Sequence, residues 1–205
     1  MAITNLNQLY DLVKDQETKR LVVSFANDAH SIEAASKAVD LGIVEATLVG
    51  NQTEIYKVCV AQGLDVSKFT IVDEPDELAA ANKAAALVRD GQGDVLMKGL
   101  VGTDNFMRSI LNKENGLMQK GDVLYHVTVL QNPAYHKLLV VGDVAIIPQP
   151  DLKQKVAISN YLIHTAKRMQ VETPKLAVIA ASEKVSEAIP STVDAAMLAK
   201  MGDRG

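Results

Sequence analysis

The sequence predicts a two-domain α/β protein in which parallel-rich sheets are sandwiched by helices. Three observations support this prediction. Short apolar runs alternate with helix-like segments, the runs are apolar throughout, and Gly, Pro, Asn and Asp mark the junctions between them. Strands without polar alternation are typical of parallel sheets that helices cover on both faces.

The first domain is predicted over residues 1–121. Leu9, Leu12 and Val13 share one face at helical spacing and predict an amphipathic helix over residues 6–19. Four β–α units follow. Their strands are predicted over residues 21–26, 46–50, 69–73 and 95–97, and their helices over residues 32–42, 53–63, 74–89 and 105–112.

The pattern changes near Gly121, where two strands follow each other without an intervening helix. A close connection of this kind favours an antiparallel pair, so we place a domain boundary there and predict a second domain over residues 122–205. Its predicted elements are strands over residues 123–130, 137–143 and 174–180 and helices over residues 152–169 and 191–200. Because the β–α alternation has only just restarted at residue 205, we expect this domain to be incomplete.

Composition excludes several classes of protein. The chain has 205 residues and a net charge of −4, and this negative charge argues against nucleic-acid binding. We find neither a basic leader nor an apolar run of spanning length, so we expect no membrane association and a cytoplasmic location. The single cysteine, Cys59, excludes an intramolecular disulfide.

The sequence predicts no metal site and no nucleotide-binding glycine loop. The histidines do not form an H-x-x-x-H or H-E-x-x-H pair, and neither G-x-x-x-x-G-K-[ST] nor G-x-G-x-x-G is present. The histidines are His30, His126, His136 and His164.

A candidate anion site follows the fourth strand. The strand ends at Lys98, Gly99 and Gly102 bracket a tight loop, Thr103 is placed to cap the next helix, and Arg108 lies about one and a half turns inside it. Unpaired N–H groups and the positive end of the helix dipole favour an anion at such a turn. The plainer interpretations are an ordinary β–α connection with a solvated lysine, and a surface salt bridge for Arg108.

Three further residues are candidates for the same cleft. Asn27 and Asp28 follow the first strand and should emerge beside the Lys98 loop, because ligands of parallel sheets sit outside the carboxyl ends of the strands. Capping of the next helix is the other role for this pair. Asp143 ends a later strand and is predicted to orient either a ligand group or a neighbouring loop.

Several linked blocks of sequence resemble the phosphate acetyl/butyryltransferase family, and its butyryl branch most closely. The blocks are DVLMKGLVGT at residues 94–103, FMRSIL at 106–111, LLVVGDVA at 138–145 and DLKQKV at 151–156, with PKLAV at 174–178 and the end of the chain from residue 197. The resemblance extends over nearly the whole chain.

This resemblance implies an enzyme that transfers a short-chain acyl group between coenzyme A and inorganic phosphate. It implies a two-domain fold like that of isocitrate and isopropylmalate dehydrogenases, a homodimer, and coenzyme A as substrate or product with no tightly bound cofactor. The residues that would line the phosphate side of the cleft are Lys98, Gly99, Gly102, Thr103 and Arg108. Members of the family continue past Gly205 to a serine–arginine and aspartate motif, so the catalytic residues are expected there and this chain alone is expected to be inactive.

Two other functions fit parts of the sequence. A non-catalytic regulatory module that binds a small anion or metabolite would keep the cationic loop without the chemistry. A metal- and nucleotide-dependent dehydrogenase of related architecture is disfavoured, because the sequence lacks a cluster of aspartates for a divalent ion.

Overall fold

The computed structural model describes residues 2–119 and 121–205. Its backbone contacts divide the chain into two compact units. The sheet unit comprises Tyr10–Asp122, and the hairpin unit comprises Val123–Gly205 together with the residues up to Leu9. Domains over residues 1–121 and 122–205 stay a prediction.

The sheet unit is built on four parallel strands in the order β3-β2-β1-β4. The predicted strands and helices are confirmed, with ends that move by a few residues. The strands are β1 (Lys19–Ser24), β2 (Val44–Gly50), β3 (Phe69–Asp73) and β4 (Val95–Lys98), and the helices are α1 (Leu6–Lys14), which begins in the hairpin unit, α2 (Ala29–Asp40), α3 (Gln52–Gln62), α4 (Glu77–Arg89) and α5 (Thr103–Leu111).

Two apolar clusters hold helices on opposite faces of this sheet. Leu21 and Val23 of β1 pack in one cluster with residues of α2 and α3, whereas Val22 packs in the other with Ala80 and Ala84 of α4. Successive residues of a strand point to opposite faces, so both faces of β1 are buried. This explains why the strands carry no polar alternation.

Short polar side chains start the helices at the carboxyl edge of the sheet. Asp28, Asn51 and Asp76 are the N-caps of α2, α3 and α4, and each accepts a backbone N–H from the third residue of its helix. Such caps satisfy donors that the helix leaves unpaired. The same edge therefore holds strand ends and helix N-termini.

The hairpin unit contains an antiparallel pair and two helices. Strands β5 (Thr128–Gln131) and β6 (Leu138–Val141) pair as predicted, and they precede α6 (Leu152–Arg168) and α7 (Pro190–Arg204). The predicted strand over residues 174–180 is wrong, because the described residues give it no strand to pair with and Ile179 is 90% exposed. An apolar run forms a strand only where a neighbouring strand accepts its hydrogen bonds.

Within residues 2–119 and 121–205, every helix is too short or too polar to span a membrane.

We expect Leu48→Ala to lower the free energy of unfolding by about 2–5 kcal/mol, because it leaves a cavity in the central strand β2. Leu48 is fully buried, whereas Val60 on α3 is 81% exposed. Val60→Ala is the matched control and should change the stability by less than about 0.5 kcal/mol. Urea denaturation followed by circular dichroism measures both, and equal losses would contradict this assignment of the core.

Candidate functional site

The candidate site lies where the strand order of the sheet changes direction. Strand β1 pairs with β2 on one side and β4 on the other, so the connections after β1 and β4 lead away to opposite sides. Open parallel sheets bind ligands outside the carboxyl ends of their strands at such a switch point. The segments at this position are residues 25–28 after β1 and residues 99–102 after β4.

Backbone hydrogen bonds join these two segments directly. The N–H of Gly99 donates to the Ser24 carbonyl and the N–H of Leu100 donates to the Phe25 carbonyl, each at 2.9 Å. Phe25 has a φ of 54°, a left-handed conformation that costs a non-glycine residue about 1–2 kcal/mol. Pairing between β1 and β4 therefore continues into the loops.

Gly99 is needed for this close approach of two backbones. A Cβ at this position would lie 2.6 Å from the Phe25 carbonyl oxygen and 2.7 Å from that of Ser24. The sequence placed Gly99 in the candidate anion loop. The space beside its Cα is occupied by the neighbouring strand.

Lys98 stands at the end of β4 as an exposed cation. It is paired in register with Ser24, and its ammonium donates a long hydrogen bond of 3.4 Å to the Gly99 carbonyl. Arg108 is exposed on α5, about 7.5 Å along the helix axis from Thr103. Within the part of the chain that the structure describes, neither side chain forms a salt bridge, so both charges are available to a bound anion.

The predicted capping role of Thr103 is wrong. Helix α5 begins at Thr103, so the N-cap residue is Gly102. Gly102 has no side chain that could accept a hydrogen bond from the first turn of the helix. The acceptor comes from α4, because Glu77 Oε1 accepts the Gly102 N–H at 2.9 Å and Asn105 Nδ2 at 2.8 Å. A Cβ on Gly102 would lie 3.2 Å from the same oxygen.

Glu77 stays ionised at neutral pH. Hydrogen bonds from the Asn105 side chain and the Gly102 backbone, assisted by the charge of Lys98, hold the pKa of Glu77 below its usual value. Sequence reasoning missed both Glu77 and Asn105. Glu77 sits at the start of α4 like many helix-favouring acidic residues, and its partner at Gly102 lies 25 positions later.

Asn27 and Asp28 both shape the loop after β1. Asn27 Oδ1 accepts the backbone N–H of Asn51 at 2.9 Å, which ties this loop to the one after β2. Asp28 caps α2 and accepts hydrogen bonds from the N–H and the hydroxyl of Ser31. The structure thus brings this pair beside the Lys98 loop, with side-chain oxygens already engaged.

Asp143 belongs to the hairpin unit and orients a loop there. Its carboxylate accepts backbone N–H groups from His126, Ala145, Ile146 and Ile147. Burial acts to raise the pKa of Asp143, but these backbone donors together lower it below its usual value. A part for Asp143 in ligand binding stays a prediction.

Within residues 2–119 and 121–205, no three His, Cys, Asp or Glu side chains come together in a way that could hold a metal ion.

Comparison with known proteins gives a consistent result. A family model for phosphate acetyl/butaryl transferases matches residues 5–83 and 77–205. The chain is 43% identical over 203 residues to a phosphate butyryltransferase of Clostridium acetobutylicum, covering 99% of this chain and 67% of the relative. It is 35% identical over 187 residues to a phosphate acetyltransferase of Thermotoga maritima, covering 91% of this chain and 63% of the relative.

The fold is also similar to that of solved structures. A branched-chain phosphotransacylase from Enterococcus faecalis V583 superposes with a TM-score of 0.74 at 23% identity, over 90% of this chain and 64% of that chain. The chain therefore spans about two thirds of the length of the relatives that it matches. None of these matches favours the non-catalytic binding module.

We expect Gly99→Ala to destabilise the sheet unit by about 1–3 kcal/mol, since the added methyl group meets two backbone oxygens that move only if β1 or β4 shifts. Gly102→Ala is the matched control. Its methyl group meets the end of the flexible Glu77 side chain, so the loss should stay below about 1 kcal/mol. Urea unfolding measures the stability of both variants. A larger loss of stability in Gly102→Ala than in Gly99→Ala would show that Gly99 is not the more crowded position.

Proposed function

This chain belongs to the phosphate acetyl/butaryl transferase family, and we propose that it forms part of an enzyme that converts acyl-CoA and inorganic phosphate to acyl phosphate and free coenzyme A. The observation that carries the proposal is the exposed Lys98 ammonium at the switch point of a parallel sheet. The N-terminus of α5 follows Lys98 after a loop of four residues. This combination of a cation and helix N–H groups suits a phosphate ion.

The reaction needs three things from the protein. A phosphate oxygen attacks the thioester carbonyl carbon, the tetrahedral oxyanion collapses, and the carbon–sulfur bond breaks. The coenzyme A thiolate leaves and takes up the proton that the phosphate loses, which gives the free thiol. The enzyme must therefore hold the phosphate against one face of the thioester carbonyl, stabilise the oxyanion and assist the leaving thiolate. The loop after β4 supplies the first of these.

Within this proposal Lys98 and Arg108 provide charge to the phosphate ion. Lys98 contacts it from the strand end and Arg108 from α5, while Thr103 offers a hydroxyl group. Gly99 and Gly102 act indirectly, because they allow the close packing that sets the path of the loop. Groups that act on the thioester are proposed to lie in sequence beyond Gly205.

The proposal includes the wider arrangement of the enzyme. We infer a two-domain architecture related to isocitrate and isopropylmalate dehydrogenases, a homodimer in the cytoplasm, and coenzyme A that enters and leaves as a substrate or product. The parallel sheet with helices on both faces supports this architecture.

We expect Lys98→Ala and Arg108→Ala each to raise the KM for phosphate by about 10-fold or more, because each removes a charge-assisted hydrogen bond to the anion. The KM for acyl-CoA should change much less. Initial rates of coenzyme A release by the full-length protein, followed with a thiol reagent, measure both constants.

Lys83→Ala is the matched control, because Lys83 is an exposed lysine on α4 and should leave both constants unchanged. Unaltered phosphate kinetics in both Lys98→Ala and Arg108→Ala would remove the anion site from this loop. Absence of phosphate-dependent coenzyme A release by the wild-type protein would overturn the proposed function itself.

A further inference from the structure

We infer that Glu77 is a positioning residue for the phosphate-binding loop, and this inference rests on the proposed function. Glu77 belongs to α4, yet its carboxylate holds the first turn of α5 and the loop that precedes it. It acts on the bound anion through the backbone of that loop.

A single carboxylate oxygen makes both contacts. Glu77 Oε1 accepts the N–H of Gly102 and the side-chain amide of Asn105, which are three residues apart and share one side of the helix start. Gly102 has no side chain with which to cap α5, so Glu77 supplies the cap from a different helix. The loop between Lys98 and Thr103 is thereby fixed at its far end.

The arrangement leaves donors for the anion. The backbone ladder of α5 begins with the Phe106 N–H donating to the Gly102 carbonyl, so the N–H groups of residues 103–105 precede it. Glu77 takes only the N–H of Gly102. Three N–H groups at the positive end of the helix dipole therefore stay outside the hydrogen bonds of the helix.

A second contact holds the opposite ends of the same helices. Arg89, the last residue of α4, donates from its guanidinium to the carbonyl of Asn115 beyond α5 at 2.7 Å. Loss of the Glu77 contact therefore frees the start of α5 while its end stays attached. A variant at Glu77 is expected to fold and to show its defect in the loop.

The test compares three variants of the full-length protein by hydrogen exchange and by kinetics. Glu77→Ala should speed exchange of the Gly102 N–H, which loses its acceptor, and of the Phe106 N–H in the first turn of α5. It should also raise the KM for phosphate, each effect being about 10-fold, with a smaller change in kcat. Glu77→Gln should stay within about 3-fold of wild type in both, because its amide oxygen still accepts the two hydrogen bonds.

Asp76→Ala is the matched control at the same end of α4. It removes a carboxylate and a helix cap but no contact to Gly102, so it should lower the stability and leave loop exchange and the phosphate KM unchanged. If Asp76→Ala reproduced the Glu77→Ala defects, Glu77 would have a general structural role and the inference would fail.

Further outcomes would overturn the inference. Unchanged exchange of the Gly102 and Phe106 N–H groups in Glu77→Ala would show that the contact does not hold the loop. Faster exchange with an unchanged phosphate KM would show that the loop does not bind phosphate. A defect in Glu77→Gln equal to that of Glu77→Ala would show that Glu77 acts through its charge and not through its hydrogen bonds. If the wild-type protein proved inactive, phosphate affinity by calorimetry would replace the KM and still test Glu77.

Discussion

The parallel pairing of β1 with β4 is the interaction on which the candidate site depends. It continues beyond the strands, because Gly99 and Leu100 donate to the carbonyls of Ser24 and Phe25. This pairing brings the loops after β1 and β4 side by side and sends Lys98 out at the strand end. It also requires a glycine at position 99. Backbone hydrogen bonds thus set the geometry of the candidate site, and its side chains are placed by them.

Much of the sheet unit was predictable from local sequence. Apolar strands buried on both faces, caps such as Asp28 and Asp76, and the alanines on α4 all leave their signal within a few residues. The position of Lys98 followed from the same logic, since the end of an apolar run before a glycine marks the end of a strand. Each of these features depends on short-range chemistry that one stretch of sequence contains.

Features that depend on distant partners were not predictable in this way. Glu77 reaches Gly102 across 25 positions, and no periodicity links them. Thr103 was the natural capping residue by type, but the helix starts one residue too early for it to cap. The apolar run at residues 174–180 predicted a strand from its composition, although strand formation needs a partner and Ile179 is exposed. A single sequence records which residues favour a strand, not which residues pair with it.

A carboxylate beside the proposed anion site raises the question of why electrostatic repulsion does not prevent an anion from binding there. Glu77 and Lys98 are both reached by solvent, so the high dielectric constant of water weakens the repulsion between Glu77 and a bound anion. The two hydrogen bonds of Glu77 act at contact distance, at 2.9 and 2.8 Å. Glu77 is ionised throughout the neutral range, because the ordinary pKa of a carboxyl group already lies below it and these two hydrogen bonds lower the pKa of Glu77 further. Geometry therefore outweighs charge at this position, and a carboxylate can prepare a loop for an anion that it does not itself attract.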